Sequence, residues 1–251
     1  MTAPDRLELS PDRIIAYHRT SATGAGQDRP GVVFLGGFKS DMEGTKALAL
    51  EDWARGAGRA FLRFDYRGHG RSSGAFEDGC VSDWADDARE AVARLTEGPQ
   101  ILVGSSMGGW IALLLARAAP ERVAGLVGIA AAPDFTVSMK IEMDRDAEEE
   151  MEATGRWTRP SAYSEEPYVI TKKLLDDGAD NLVLPRPYRA GFPVRLLQGT
   201  EDEDVPVAVA ERLFEHIEAD DLSLTLVKGA GHRFSEPKEI ALIVREVEAL
   251  G

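Results

Sequence analysis

The most informative part of this 251-residue chain is the segment Ile101-Leu102-Val103-Gly104-Ser105-Ser106-Met107-Gly108-Gly109-Trp110. Its apolar start is typical of a buried strand. The strand ends at a Gly-x-Ser-x-Gly motif centred on Ser106, and residues 110–119 have a helical composition. A sharp turn from strand to helix is the context in which this motif exposes a nucleophilic serine. Without partner residues downstream, the same motif would be an ordinary flexible turn.

Steric crowding selects one serine of the pair. The residues two before and two after a serine on such a turn approach each other closely, so both must be very small. For Ser106 these residues are Gly104 and Gly108, which also tolerate unusual backbone angles. For the preceding serine they would be Val103 and Met107, which are too large. The sequence therefore predicts Ser106 as the nucleophile.

A serine hydroxyl needs a general base to remove its proton. On sheets with this serine turn, the acid and then the histidine follow the serine along the chain. Of the four histidines, only His216 and His232 follow Ser106. His216 lies in a helix-like stretch, residues 208–217, where a solvated side chain is the simpler interpretation. His232 follows two glycines on a loop after a strand-like segment, from which it can reach the serine, and it is the predicted base.

The acid should lie on the loop after the strand Val194–Gln198, where four carboxylates compete. Glu203 and Asp204 come just before Pro206, a residue that suits the first turn of a helix. Favourable interaction with the helix dipole is a sufficient reason for both of them. Asp202 is nearer the end of the strand and is the predicted acid, with Asp204 as the alternative. The cluster lacks the spacing of a calcium-binding loop, so no metal site is predicted.

The oxyanion formed by serine attack needs preorganised hydrogen-bond donors. One is the backbone N–H of Met107, the residue after the nucleophile. The other should come from the loop that follows the strand at residues 32–35. That loop begins Gly36-Gly37-Phe38, and its glycines allow the backbone to approach a substrate closely. We predict the Phe38 N–H as the second donor.

Composition restricts the class of protein. The net charge is −14, with 29 basic and 43 acidic residues, and this argues against binding to nucleic acid or to anionic membranes. The lone Cys80 cannot form an internal disulfide and lies on an acidic loop that would raise the pKa of its thiol. The N-terminal residues have no apolar signal core, and no window is long and apolar enough to span a membrane.

Strand-like and helix-like segments alternate along the chain, as in a mostly parallel sheet covered on both faces. The alternation breaks between Pro133 and Phe192. We therefore expect a core formed by residues 1–133 and 192–251, with residues 134–191 inserted as a helical cap over the carboxyl end of the sheet. Within the cap, residues 140–153 resemble one charged helix. Trp157 and Tyr163 are predicted to line the substrate pocket, since pockets are rich in aromatic groups.

These segments resemble the α/β-hydrolase superfamily. The chain is most similar to the branch that contains the mitochondrial acyl-protein thioesterase, also an acyl-glucuronide esterase, and its bacterial relatives. The similarity covers almost the whole chain and is carried by Gly44–Ala49, Arg63–Tyr66, Gly98–Trp110 and the cap segment Trp157–Glu166. The resemblance implies an α/β-hydrolase fold with a mostly parallel eight-stranded sheet and a small helical cap. It also implies a triad of Ser106, Asp202 and His232.

We expect a cofactor-free serine hydrolase that acts on small to medium acyl esters or thioesters. Alternatives on the same fold are a carbon–carbon bond hydrolase, a peptidase, or a non-catalytic ligand-binding protein, because fold does not fix function. A dehalogenase is disfavoured, since serine rather than aspartate occupies the turn. The eukaryotic member of this group begins with an organelle-targeting segment that the present sequence lacks, so the expected location is the cytoplasm.

Overall fold

The computed structural model describes residues 3–159 and 167–251. Its strands are β1 (Asp5–Ser10), β2 (Arg13–Thr20), β3 (Gly31–Leu35), β4 (Phe61–Phe64), β5 (Gln100–Ser105), β6 (Val123–Ile129), β7 (Arg156–Arg159), β8 (Tyr168–Thr171), β9 (Tyr188–Arg189), β10 (Val194–Gly199), β11 (Ile217–Glu218) and β12 (Leu222–Val227). Its helices are α1 (Thr45–Gly56), α2 (Val81–Leu95), α3 (Met107–Ala118), α4 (Phe135–Glu142), α5 (Arg145–Thr154), α6 (Lys172–Asp180), α7 (Val207–His216) and α8 (Pro237–Ala249).

Eight strands form one sheet in the order β1-β2-β4-β3-β5-β6-β10-β12. The β1–β2 and β2–β4 pairs are antiparallel, and the other neighbours are parallel. β5 lies near the centre, with Leu102 opposite Val33 of β3 on one side and Leu126 of β6 on the other. The predicted fold class, a mostly parallel eight-stranded sheet flanked by helices, is confirmed.

The sheet separates two apolar layers. Ile101 and Val103 of β5 pack into the layer under α1 and α8, whereas Leu102 packs into the layer under α2 and α3. Both faces are buried, so β5 is a nearly continuous apolar run rather than an alternation of apolar and polar residues. This burial fixes the carboxyl end of β5, and with it the start of α3, in the middle of the molecule.

The chain between β6 and β10 interrupts the alternation, as the sequence predicts. The single helix predicted at residues 140–153 is wrong, because two helices, α4 and α5, meet there. The Asp144 side chain accepts a hydrogen bond from the Ala147 amide at 2.9 Å and begins α5 as its N-cap residue. Met143, just before it, has an extended backbone that ends α4. β7 and β8 then form an antiparallel pair.

Across residues 3–159 and 167–251, none of the helices combines the length and the apolar character that crossing a membrane requires.

Candidate active site

Ser106 lies on the sharp turn between β5 and α3. Its backbone has φ 55° and ψ −121°, a strained conformation for a residue with a side chain. The turn is held on both sides: the Ser106 N–H donates to the Ile129 carbonyl at 2.9 Å, and the Ser106 carbonyl accepts from Gly109 at 2.9 Å and Ala132 at 3.1 Å. A residue strained in this way persists only where its surroundings determine it, and such residues cluster at functional sites.

The glycines around Ser106 are required by close backbone packing. A Cβ atom on Gly104 would lie 2.3 Å from the carbonyl oxygen of Gly108, and one on Gly108 would lie 2.0 Å from the carbonyl oxygen of Leu35. A Cβ on Gly109 would lie 2.6 Å from the Cβ of Ala131. The crowding predicted between the positions two before and two after Ser106 is confirmed.

A chain of hydrogen bonds joins Ser106 to His232 and Asp202. The Nε2 atom of His232 lies 3.1 Å from the Oγ of Ser106, and its Nδ1 atom lies 3.0 Å from Oδ2 of Asp202. A carboxylate only accepts hydrogen bonds, so Nδ1 carries the ring proton and Nε2 is free to accept one. The three predicted residues therefore meet although they are separated by up to 126 positions in the sequence.

Asp202 is held by more groups than His232 alone. Its side chain is fully buried, and Oδ2 also accepts from Nε2 of Gln198 at 2.9 Å. Oδ1 accepts from the backbone amides of Asp204 at 3.0 Å and Val205 at 2.8 Å. Burial by itself would raise the pKa of Asp202, but the hydrogen bonds from His232, Val205 and Gln198 outweigh it, and the net shift is downward. Asp202 is thus ionised and fixed in orientation.

Gln198 is a site residue that sequence reasoning missed. It is fully buried at the end of β10, and its amide nitrogen also donates to the Val205 carbonyl at 2.9 Å. A polar residue directly after the apolar pair Leu196-Leu197 at the end of the strand was the available signal. Its effect on Asp202 depends on how the following loop folds back, which no local pattern reveals.

Asp202, Asp204 and His232 bring potential metal-ligand atoms within 4.8 Å of one another. Four N–H donors already occupy the two oxygens of Asp202. A metal ion would have to displace at least one of these hydrogen bonds, so this carboxylate is poorly suited as a ligand.

The two predicted oxyanion donors flank Ser106. Met107 begins α3 and is fully buried, so its amide lies at the positive end of the helix dipole. On the other side, a Cβ atom on Gly37 would lie 3.4 Å from the Cβ of Ser106. The backbone at Gly37 and Phe38 therefore passes directly beside the serine, as a donor loop must.

A cavity of about 560 Å³ opens over Ser106 and His232. Its apolar wall combines Phe38 of the loop after β3, Met107 of α3 and residues between β6 and β10, namely Ala132, Phe135, Met139 and Tyr168. The Phe38 ring lies edge-on to the rings of Phe135 at 5.5 Å and Tyr168 at 5.8 Å between centroids. The wall is suited to an apolar group bound next to the serine.

The structure does not bring Trp157 to this cavity. The residue lies on β7, outside the cavity lining, and packs partly against the core, with the Arg159 guanidinium 5.9 Å from its ring. The prediction for Tyr163 falls outside the described residues. Phe135 and Tyr168 take the aromatic positions instead. No sequence signal separated them from other aromatic residues, because the packing of α4, which carries Phe135, and of β8, which carries Tyr168, decides which side chains line the cavity.

Two other histidines, His216 and His69, are outside this chain of hydrogen bonds. His216 ends α7, and its Nε2 contacts the carbonyl of Val183 at 3.1 Å. His69 is buried beneath the loop after β3.

Cys80 is also buried, and burial is the main cause of the raised pKa of its thiol. The predicted direction of the cysteine shift is therefore confirmed, although its main cause is desolvation rather than nearby acidic charge.

Comparisons with known proteins agree with this fold. The family model described as "Alpha/beta hydrolase family" matches residues 32–241. The mitochondrial palmitoyl-protein thioesterase ABHD10 of Bos taurus is 38% identical over 222 residues, which cover 88% of this chain and 72% of that protein. A putative hydrolase from Agrobacterium vitis S4 superposes with a TM-score of 0.93 at 40% identity, covering 100% of this chain and 98% of the other. Mouse alpha/beta hydrolase domain-containing protein 10 gives 0.90 at 35% identity, covering 99% and 98%.

The predicted cytoplasmic location is contradicted by the names of the ABHD10 relatives. Those from cattle, humans and mice are all named as mitochondrial proteins. The prediction depended on the lack of a recognisable targeting segment in the sequence, and such a lack does not identify a compartment.

Proposed function

Because this chain belongs to the alpha/beta hydrolase family and is a hydrolase enzyme, we propose that it cleaves carboxylic esters or thioesters of small to medium acyl groups through a Ser106–His232–Asp202 triad. The observation that carries the proposal is the continuous hydrogen-bond chain from the Ser106 hydroxyl through His232 to Asp202. The names of the ABHD10 relatives, which are palmitoyl-protein thioesterases, favour thioesters among the candidate substrates.

In the proposed first step, the Ser106 Oγ attacks the acyl carbonyl while Nε2 of His232 takes its proton. Asp202 keeps the ring in the tautomer with the proton on Nδ1 and stabilises the imidazolium that forms. The amides of Met107 and Phe38 donate to the oxyanion. His232 then returns the proton to the departing alcohol or thiol, which leaves an acyl-Ser106 ester.

In the second step, a water molecule gives its proton to Nε2 of His232 and attacks the acyl-enzyme. The same two amides stabilise the second oxyanion, and collapse of this intermediate releases the carboxylic acid and restores the Ser106 hydroxyl. Protein groups supply every proton transfer and every charge stabilisation in this scheme, so it requires no cofactor.

Residues 134–191 have a separate proposed role as the cap over the site. Phe135 and Met139 of α4 and Tyr168 of β8 come from this segment and contribute to the apolar wall of the cavity. We assign the acyl group to this wall, because it lies beside Ser106 and is the part of the site best suited to an apolar chain.

The proposal is tested by turnover of p-nitrophenyl esters of graded acyl length, beside acyl-CoA and acyl-peptide thioesters. The wild-type protein should hydrolyse at least one series. Ser106→Ala should lower kcat by about 10⁶-fold, as loss of the nucleophile does in other serine enzymes. Ser105→Ala, the matched control one residue away, should keep its activity. Absence of turnover by the wild type in every series, or turnover that survives Ser106→Ala, would contradict the proposal.

A further inference from the structure

The loop after β4, residues 65–74, forms hydrogen bonds with the loop after β3. Oδ1 of Asp65 accepts from the Met42 amide at 2.7 Å, and its Oδ2 accepts from the Arg71 amide at 2.8 Å. Asp65 therefore connects the far end of the loop after β3 to the loop after β4. His69 forms a second connection between the two loops, nearer Ser106.

His69 accepts a hydrogen bond from the backbone amide of Lys39, the residue after Phe38. The Lys39 nitrogen lies 3.2 Å from Nε2 of His69, and the Arg67 carbonyl lies 3.2 Å from Nδ1. A carbonyl only accepts and an amide N–H only donates. The two contacts together therefore require a neutral ring with its proton on Nδ1. A proton on Nε2 would set two donors against each other and break the contact with Lys39.

The Lys39 contact fixes one of the two peptide planes that flank Phe38. The other plane contains the Gly37 carbonyl and the Phe38 N–H, and it is fixed because the Gly37 carbonyl accepts from the Ser40 amide at 3.2 Å. In a trans peptide the N–H points away from the carbonyl, so this bond also sets the direction of the Phe38 N–H. Lys39 itself has a positive φ of 54°, which costs energy and needs support from its surroundings.

His69 is locked in place by an aromatic cluster shared with Phe38. Its ring is 3% exposed and lies 5.1 Å from Phe76 and 5.2 Å from Trp84, centroid to centroid. The Phe38 ring contacts the same two rings at 4.9 and 5.9 Å. Trp84 also donates to the Arg67 carbonyl at 3.2 Å, the same oxygen that accepts from His69. The rings of Phe76 and Trp84 therefore contact both the His69 imidazole and the Phe38 ring on the loop that His69 holds.

We propose that His69 is a positioning residue for the oxyanion hole: its unprotonated Nε2 holds the Lys39 amide and, together with the Ser40-to-Gly37 hydrogen bond, fixes the loop that presents the Phe38 N–H to the reacting carbonyl. The inference rests on the proposed function, since it needs Phe38 to be an oxyanion donor.

Electrostatics are consistent with this role. Burial lowers the pKa of His69 to about 4, against the opposing effects of the Arg67 carbonyl and the Asp87 carboxylate. The ring is therefore neutral at physiological pH, as the acceptor role requires.

The test compares two substitutions of His69 by steady-state kinetics on the best ester substrate. His69→Asn can still donate to the Arg67 carbonyl but cannot reach Lys39, so kcat should fall about 10- to 100-fold with KM within about 3-fold. A misplaced or lost oxyanion donor has effects of this size and larger. His69→Gln retains an acceptor at the reach of Nε2 and should restore kcat to within about 5-fold of the wild type.

His216→Asn is the matched control, because His216 also contacts backbone but lies at the end of α7, and its kcat should be unchanged. Equal losses of kcat in the Asn and Gln variants, or a folded Asn variant with wild-type kcat, would overturn the inference. Ser106→Ala in the same assay separates the two claims. If that variant is inactive while His69→Asn is fully active, only the role of His69 fails; if Ser106→Ala is active, the proposed function itself fails.

A measurement on the wild-type protein reports the tautomer of His69 directly. Long-range ¹H–¹⁵N correlation spectra report the tautomer of each of the four histidines, and the His69 signals are those lost in His69→Gln. The expected result at pH 7 is a neutral ring protonated on Nδ1. A ring protonated on Nε2, alone or together with Nδ1, would overturn the inference.

Discussion

Asp202 and Asp204 lie two residues apart on the same loop, yet only Asp202 contacts His232 in the described hydrogen bonds. The Asp204 backbone amide supports Asp202 instead, by donating to its Oδ1 at 3.0 Å. Asp202 was favoured from the sequence because it is nearer the end of β10, and its Oδ2 lies 3.0 Å from Nδ1 of His232. Which carboxylate turns inward is decided by the Gln198 and Val205 contacts, which the sequence does not display.

We predict that Asp202→Asn lowers kcat by roughly 10³- to 10⁴-fold, because the amide no longer stabilises the imidazolium or the correct tautomer of His232. Asp204→Asn keeps the backbone amide that donates to Asp202 and should change kcat by less than about 5-fold. Steady-state kinetics of the two variants on one ester decide the assignment. A severe loss of kcat in Asp204→Asn, with kcat retained in Asp202→Asn, would assign the acid to Asp204 instead.

The turn between β5 and α3 is constrained by backbone packing at its glycines. Gly108→Ala would place a methyl group 2.0 Å from the Leu35 carbonyl oxygen, so β3 or α3 must move. We expect a loss of about 3 kcal/mol in the free energy of unfolding, at the upper end for overpacking, together with loss of activity. Gly56→Ala is the control, since nothing lies within 4 Å of its added methyl group at the end of α1. Urea denaturation measures both, and equal stability of the two variants would refute the packing argument.

The segment between β6 and β10 is the part of the fold that could be predicted only incompletely from the sequence. Its position and its break from the strand–helix alternation were predictable, since both follow from local patterns of apolar residues. Which aromatic residues line the cavity was not, because this depends on how α4 and the β7–β8 pair pack beside Ser106. Trp157 consequently packs beside the cavity rather than in it, and Phe135 and Tyr168 line the wall.

Substitutions in this element should change the preferred acyl length if the segment acts as a cap. Phe135→Ala and Tyr168→Ala each remove apolar contacts from the cavity wall, worth about 1–3 kcal/mol, and should move relative kcat/KM between short and long esters by roughly 10- to 200-fold. Trp157→Ala, outside the wall, should leave the profile unchanged. The p-nitrophenyl ester series provides the measurement. A shifted profile in Trp157→Ala alone would show that the acyl group binds elsewhere.

At the scale of the whole molecule, one buried carboxylate joins the N-terminal hairpin, the loop after β4 and α2. Asp87 is fully buried and accepts from Arg13 of β2 at 2.7 Å and from both the backbone and the side chain of Arg67. Asp87→Asn should lower the free energy of unfolding by about 3 kcal/mol, because two guanidinium groups lose their shared partner. Asp86, its half-buried neighbour, also pairs with Arg13. Asp86→Asn should cost under about 1 kcal/mol. Comparable losses in the two variants would contradict the importance given to burial.

Covalent labelling with a fluorophosphonate, followed by mass-spectrometric mapping of the modified peptide, identifies the nucleophilic serine. The reagent phosphonylates an activated serine and reports the nucleophile without assuming a substrate. We predict one adduct on Ser106, its absence in Ser106→Ala and its retention in Ser105→Ala. An adduct on Ser105, or labelling that persists in Ser106→Ala, would contradict the assignment of Ser106 as the nucleophile.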